Sequence, residues 1–422
     1  MPARLKKQKK TQSKTKNDLQ ITIRMYRVGF GDCFLMTLPG PDHVLVDFGV
    51  HSKGNIRLNG ESLIDKAFEN IREVTGGKLA IVIATHAHQD HVSGFGAYAE
   101  EFSKFDIREV WLPWTEDLTN PQAQKWHQKK RALVQLLQQH FTARPDQHAQ
   151  AAVENAEANP KAMSALRSGF GKAKVRYLKS GDTVDAPGGI TDFSAKILGP
   201  PDDQAFLQKM NPPGSDHYLR LAQIAASGSG LHPFQRWEIK PEELPTDWPQ
   251  LKPEFRDSLG KQLQFAAAAA AFSLDKVLNN TSVVALFTFR GRRLLFPGDA
   301  QYGDWISWYA KQGGTPLLSD ICFYKVAHHG SWNATPKGAL EQMPEGGFAA
   351  MMSTQSVPWA SIPKKALADA LTARTKGSTV RSDSIPVKGG KVPPGPKLEH
   401  LPEAFHTGDV NQGEYWIDYN IS

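Results

Sequence analysis

Residues 79–91 read LAIVIATHAHQDH. Six apolar residues, Leu79 to Ala84, run directly into a heptapeptide, THAHQDH at 85–91, that holds three histidines and an aspartate. A short continuous apolar run reads as a strand buried on both faces. Polar side chains crowded at its end cost roughly 2–7 kcal/mol each if left uncompensated. A shared ligand explains the crowding better than four unrelated loop residues. In an extended chain, residues two apart face the same side, so His86 and His88 are expected to point at one metal ion. Asp90 and His91, past the turn and at the start of a helix, are expected to face a second. Imidazole and carboxylate suit Zn²⁺, with Mn²⁺ or Fe as alternatives.

Working outward, ITIRMYRV, CFLMTL and VLVDFG between residues 21 and 49 are separated by GFGD and PGPDH, which predicts an antiparallel meander. ESLIDKAFENIREV has helical spacing and GG as its stop, VSGFGAYAEEFSKF reads as a helix, and IREVWLP as a strand. From about 115 to 170 the composition turns to Gln, Ala, His and Lys at helical spacing, a helical insertion. Strands resume at KVRYLKSGDTV and FSAKILGPP. Residues 201 to 262 are rich in Pro, Trp and Gly, an irregular excursion of the kind that is functional in a compact domain. KQLQFAAAAAAFSLDKVL predicts a helix whose alanines permit close packing. Strands and helices then alternate through TSVVALFTFRG, RRLLFPGDA, YGDWISWYAKQG, ICFYKVAHHGS, TPKGALEQM, FAAMMST and KKALADALTA to a terminal strand, EYWIDYNI. Two β-rich blocks, early and late, each mixed with helices, predict an α/β fold in four layers, an αββα sandwich. The expected organisation is a basic tail at 1–18 and one domain over 19–422, with insertions at about 115–170 and 201–275.

Two further clusters follow apolar strands. Phe296-Pro297-Gly298-Asp299-Ala300 ends in an aspartate able to bridge two ions, and Lys325-Val326-Ala327-His328-His329-Gly330-Ser331 offers adjacent histidines. One of this pair is expected to ligate while the other hydrogen-bonds or handles protons. Convergence of the three clusters at one sheet edge accounts for all of them.

These motifs resemble the metallo-β-lactamase fold, whose H-x-H-x-D-H motif is matched by THAHQDH and whose early strand end is similar to LVDFG at 45–49. RVGFGDCFLM, NNTSVVALF with LLFPGDA, KVAHHGS and STQSVPWASIP with VRSD resemble the hydrolase domain of the competence protein ComEC and its stand-alone relatives. The resemblance covers about 21–110 and 275–385, and the insertions match neither. It implies that His86 and His88 bind one ion and Asp90 and His91 the other, that Asp299 bridges, and that His328 or His329, marginally His328, completes the second site. It also implies that Asp47 orients a ligand and that Asp32 is a turn residue near the site. The third histidine common in such proteins is missing: FSAKILG ends in Pro200-Pro201-Asp202-Asp203, leaving His217 and His232 as substitutes.

The implied reaction is hydrolysis of a phosphodiester by a metal-activated hydroxide, as in a nuclease or phosphodiesterase, with Asp90, His328 and His329 as catalytic residues. The alternatives are hydrolysis of a lactone, thioester or phosphorylcholine-type ester, and a non-catalytic binding module with a degenerate site. Nucleic acid or a small phosphodiester is the expected substrate. The formal charge of +7 resides partly in MPARLKKQKKTQSKTKN, with seven Lys or Arg and no acid, which reads as a solubilising arm with weak attraction to polyanions. The KKR at 129–131, Trp237 and Trp248 are further candidates for holding a polyanion. Cys33 and Cys322 sit in apolar stretches and read as buried thiols of a reducing compartment. No apolar run approaches a membrane span, so a cytoplasmic protein without membrane association is expected.

Overall fold

The computed structural model describes residues 20–422 except 158, 210, 212–252, 312–316, 388–394, 397–401 and 403. The basic arm at 1–18 and the stretch carrying His217, His232, Trp237 and Trp248 lie outside the described residues.

The chain opens with β1 (Ile21–Tyr26), β2 (Cys33–Thr37) and β3 (His43–Phe48), each antiparallel to its predecessor, as the meander pattern predicts. A short hairpin, β4 (Arg57–Leu58) with β5 (Glu61–Ser62), leads into α1 (Leu63–Thr75). Ser62 and Asp65 cap the start of α1 reciprocally, and Gly76 ends it in the left-handed conformation. Next come β6 (Lys78–Ile83), α2 (Gln89–Ala97), α3 (Ala99–Phe102) and β7 (Asp106–Pro113). Three helices follow, α4 (Pro121–Ala143), α5 (Gln147–Ala156) and α6 (Pro160–Arg167), then β8 (Lys174–Leu178), β9 (Thr183–Asp185) and β10 (Phe193–Gly199). After α7 (Gln204–Leu207) and the long α8 (Pro253–Asn279) the chain alternates: β11 (Val284–Phe289), β12 (Arg292–Phe296), α9 (Tyr302–Lys311), β13 (Ile321–Lys325), α10 (Lys337–Gln342), β14 (Ala349–Met352), α11 (Lys365–Arg374) and β15 (Thr379–Arg381). β16 (Phe405–Thr407) and β17 (Trp416–Ile421) close it.

The strands form two large sheets, ordered β16-β17-β1-β2-β3-β6-β7-β8 and β15-β14-β13-β12-β11-β10-β9. One apolar layer lies between them, joining Ile81, Ile83 and Trp111 of the first sheet to Phe287, Leu294 and Phe323 of the second. The opposite face of the first sheet packs on α1, α2, α3 and α6, and that of the second on α9, α10 and α11. The four-layer αββα sandwich is therefore present. β6 explains its own sequence: Ile81 and Ile83 face the other sheet while Leu79 and Val82 face helices, so that beyond the exposed Lys78 at its start every position is apolar. Each such aliphatic side chain contributes roughly 1.5–3 kcal/mol by burial.

Three details differ from the sequence expectation. The early and late strands do not separate cleanly, because β17 returns to pair with β1 and KVRYLKSGDTV divides between sheets, β8 in the first and β9 in the second. A turn at Ser180-Gly181 lets the chain cross over, with Gly181 at φ 103°. In the first insertion, α6 buries Ala162, Met163 and Leu166 against the outer helices, so it belongs to that layer. In the second, helix begins at Pro253 and absorbs the end of the stretch expected to be irregular. The alanine run of α8 does pack closely, Ala271 and Leu274 meeting Ala149 and Val153 of α5 and Leu137 of α4. Both cysteines are free and buried. Among the described residues no helix is long and apolar enough to cross a membrane.

Candidate metal centre

The three strand-end clusters meet at one edge of the sandwich. β3 and β6 run parallel in one sheet, and β12 and β13 run parallel in the other, so their carboxyl ends lie together. The chain after β6 is extended only to Ile83, and residues 84–88 form a loop, so His86 and His88 are not aligned by strand geometry as expected. The loop nonetheless brings His86 Nε2 to 2.9 Å from His88 Nδ1. His88 then caps α2, whose first turn carries Asp90 and His91. The facing loop is held by Val283 N–H donating to Thr85 O at 2.8 Å. Gly298, at φ 57°, makes the approach feasible, since a Cβ there would lie 2.8 Å from Thr85 Cβ.

Asp90, His91, Asp299 and His329 form a fully buried group whose ligand atoms lie within 4.8 Å of one another. His329 Nε2 is 3.0 Å from Asp90 Oδ2 and 3.2 Å from Asp299 Oδ2, and His91 Nε2 is also 3.2 Å from Asp299 Oδ2. The outer nitrogens of both rings are engaged: His91 Nδ1 with Asp47 Oδ2 at 2.8 Å, His329 Nδ1 with Ser353 O at 3.0 Å. Asp47 is fixed in turn by the Thr85 N–H and hydroxyl, each donating at 2.7 Å, and so holds the His91 ring in place. Asp32 lies beneath, in an ion pair with Lys325 Nζ, which also reaches Asp299 Oδ1 at 3.2 Å and donates to Gly298 O at 2.9 Å.

The histidine pair is divided by its backbone. His328 and His329 both adopt left-handed φ, 45° and 52°, which sends the two rings apart. His329 enters the cluster, whereas His328 turns to Asn279, its Nε2 3.2 Å from Asn279 Nδ2. The marginal preference for His328 as ligand is thus not supported by the geometry, which sequence spacing alone cannot reveal because left-handed residues are rare outside glycine.

The charges fit an ion. Burial would push His91 and His329 down, but the carboxylates around them, Asp299 foremost, hold His91 well above its ordinary value and His329 at about 10. Asp90 and Asp299, despite burial, are held well below the usual carboxylate range by His91 and His329. His86 and His88 are the reverse: burial keeps both uncharged, His88 down at about 3. Asp90 Oδ1 is buried with no hydrogen-bond partner, and His91 Nε2 makes no aligned hydrogen bond despite lying 3.2 Å from Asp299 Oδ2. Two carboxylates and two imidazoles with unmatched atoms converging on one point are the donor set of a borderline-hard divalent cation.

A cleft of about 520 Å³ opens onto this group, floored by Asp90, Asp299 and His329 and walled by Phe272 and Lys276 of α8 and by Trp359. Sequence reasoning left Lys325 without a role and did not see Asn155, Asp275 or Ser282, which also face the centre. Of the KKR stretch, Lys130 is buried beside Glu116 rather than offered to a surface polyanion. Beyond FSAKILG, Pro201 O accepts from Trp114 Nε1 at 3.1 Å, and that turn contributes no ligand.

No curated protein matches the chain. Residues 26–110, which run from the end of β1 into β7 and carry Asp32, Asp47 and THAHQDH, match the family model of the metallo-beta-lactamase superfamily, typically hydrolytic metalloenzymes that bind metal ions, usually zinc.

Proposed function

We propose that this protein is a metal-dependent phosphodiesterase or nuclease whose ion is held by Asp90, His91, Asp299 and His329. The observation that carries the reading is the convergence of these four buried ligands, three of which, Asp90, Asp299 and His329, floor an open cleft. A bound divalent ion there supplies Lewis acidity, lowering the pKa of water from 15.7 to about 7 and neutralising charge on the substrate. Asp47 and the Ser353 carbonyl hold His91 and His329 with their Nε2 atoms inward. Lys325 pairs with both Asp32 and Asp299, and its charge helps to keep the buried Asp299 ionised. His328, beside the ligands on the cleft wall, hydrogen-bonds the leaving group or a phosphoryl oxygen. Lys276 and Lys364 place positive charge along the cleft, and Trp359, Trp332 and Phe272 offer ring faces for stacking a base. The resemblance to ComEC-type hydrolase domains points the same way.

The apolar share of that wall, Phe265, Ala268 and Phe272, favours a second reading, an ester, lactone or thioester with a hydrophobic portion. Purified protein should be assayed against an aryl phosphodiester, labelled single- and double-stranded DNA and RNA, and a panel of lactones and thioesters, with and without added Zn²⁺ or Mn²⁺. The expected result is metal-dependent phosphodiester cleavage that falls by more than about 100-fold in Asp90→Ala, beyond the loss from a merely supporting group. Turnover of lactones or thioesters alone contradicts the first reading, and no hydrolysis of any kind contradicts both.

A further inference from the structure

We infer that Asp275 and Asn155, both supplied by the inserted helices, hold His88 as a ligand of a second ion beside the four-residue cluster. The inference rests on the metal-hydrolase reading above and extends it to His86 and His88, which among the described residues have no third histidine beside them apart from His91 of that cluster.

The two rings face one another through His86 Nε2 and His88 Nδ1, 2.9 Å apart. Each outer nitrogen has an oxygen before it. His86 Nδ1 meets Thr85 Oγ1 at 3.2 Å and Ser282 Oγ at 3.3 Å, while His88 Nε2 has Asp275 Oδ1 at 3.6 Å. Without an ion, one ring donates its inner N–H to the other across that contact; an imidazole that instead gives its outer proton to an oxygen turns its inner lone pair toward the other ring, and two such rings form a pair of ligands for one cation. The ring of His88 is 1 % exposed and its Nε2 has no other partner, so the carboxylate is the acceptor within reach of a small rotation.

Asp275 is itself held. Asn155 Nδ2 donates to Asp275 Oδ1 at 3.3 Å, and Asn155 Oδ1 accepts the Asp90 N–H at 3.4 Å. A single carboxamide therefore ties α8 to the first turn of α2. The juxtaposition is made by packing: Ala271, Leu274 and Leu278 of α8 lie against Ala149, Val153 and Ala156 of α5, setting residues 275 and 155 side by side. Asp275 also lines the cleft together with Asp90 and Asp299. The helices added to the sandwich thus reach its centre and act on His88 through its far nitrogen. Asp275 is in this account a positioning residue.

The test is the number and affinity of bound Zn²⁺ ions, measured on the full chain by competition with a chromophoric chelator. Wild type is expected to bind two ions. Asp275→Ala and Asn155→Ala should retain the ion of the four-residue cluster and bind the other about 10–100-fold more weakly. Asp275→Asn, which keeps an acceptor oxygen, should recover part of that loss. Should Asp275→Ala fail to fold by circular dichroism, Asp275→Asn and Asn155→Ala carry the test. Two ions of unchanged affinity in every variant, or an equal weakening of both ions, overturns the inference, as does a single ion in wild type, which leaves the four-residue site intact. No bound ion in wild type overturns the metal reading as well.

Discussion

Asp299 serves three cationic neighbours at once, with His91 and His329 each 3.2 Å from Oδ2 and Lys325 3.2 Å from Oδ1. Removing it leaves the two buried imidazoles without their main counter-charge and Lys325 with Asp32 as its close partner, a change that costs about 3–5 kcal/mol for a broken buried pair. Metal-free Asp299→Ala should therefore melt well below metal-free wild type near neutral pH, as calorimetry would show. The raised histidines set a pH dependence of definite sign. An unfolded histidine titrates near 6.5, and His329 is held at about 10. Its contribution to the stability of the metal-free protein is thus fully present below about pH 6.5 and lost as pH rises toward 10. The Tm of the metal-free protein should fall across that window. Metal displaces the same protons, so ion affinity should rise over the same range, with proton release detectable by calorimetry in buffers of different ionisation enthalpy. Equal Tm values at pH 6.5 and 9.5 contradict this assignment of charge.

At the scale of elements, the site is a junction of strand ends, and its tolerances are set by backbone. Gly298→Ala places a methyl 2.8 Å from Thr85 Cβ in a residue at φ 57°. Both effects push the Asp299 loop away from THAHQDH. The variant should fold with a loss of about 1–3 kcal/mol, the usual scale for overpacking, yet retain much less metal. Melting and metal content measured together would check the two effects separately. The legibility of the site follows the same line. Asp90, His91 and Asp299 are readable because short-range motifs follow apolar strands. The division between His328 and His329 is not, because it is made by two successive left-handed residues that are not themselves glycine, ahead of Gly330. Asp275 is hidden for another reason: it is one carboxylate on a helix, and only the packing of α8 on α5 gives it a partner.

At the scale of the molecule, the continuous apolar runs of β6, β11 and β13 disclose a sheet covered on both faces, and hence the layered architecture. What they cannot disclose is which sheet a strand joins. β17 completes the first sheet from the far end of the chain through register with β1, Ile23 opposite Tyr419 and Met25 opposite Ile417, a pairing of side chains rather than a local pattern. The two sheets are locked by aromatic contact, Trp111 of β7 over Phe287 of β11 with ring centroids 6.1 Å apart. Phe287→Ala should cost about 3–5 kcal/mol in chemical denaturation. Because the metal ligands are drawn from both sheets, the same variant should also weaken ion binding. The claim on which the rest depends is that the two sheets close on a metal ion, and it is tested most directly by the transition-metal content of dialysed wild type and Asp299→Ala. The account predicts about one equivalent or more in wild type and nearly none in the variant; less than one equivalent in wild type, or equal content in both, contradicts it.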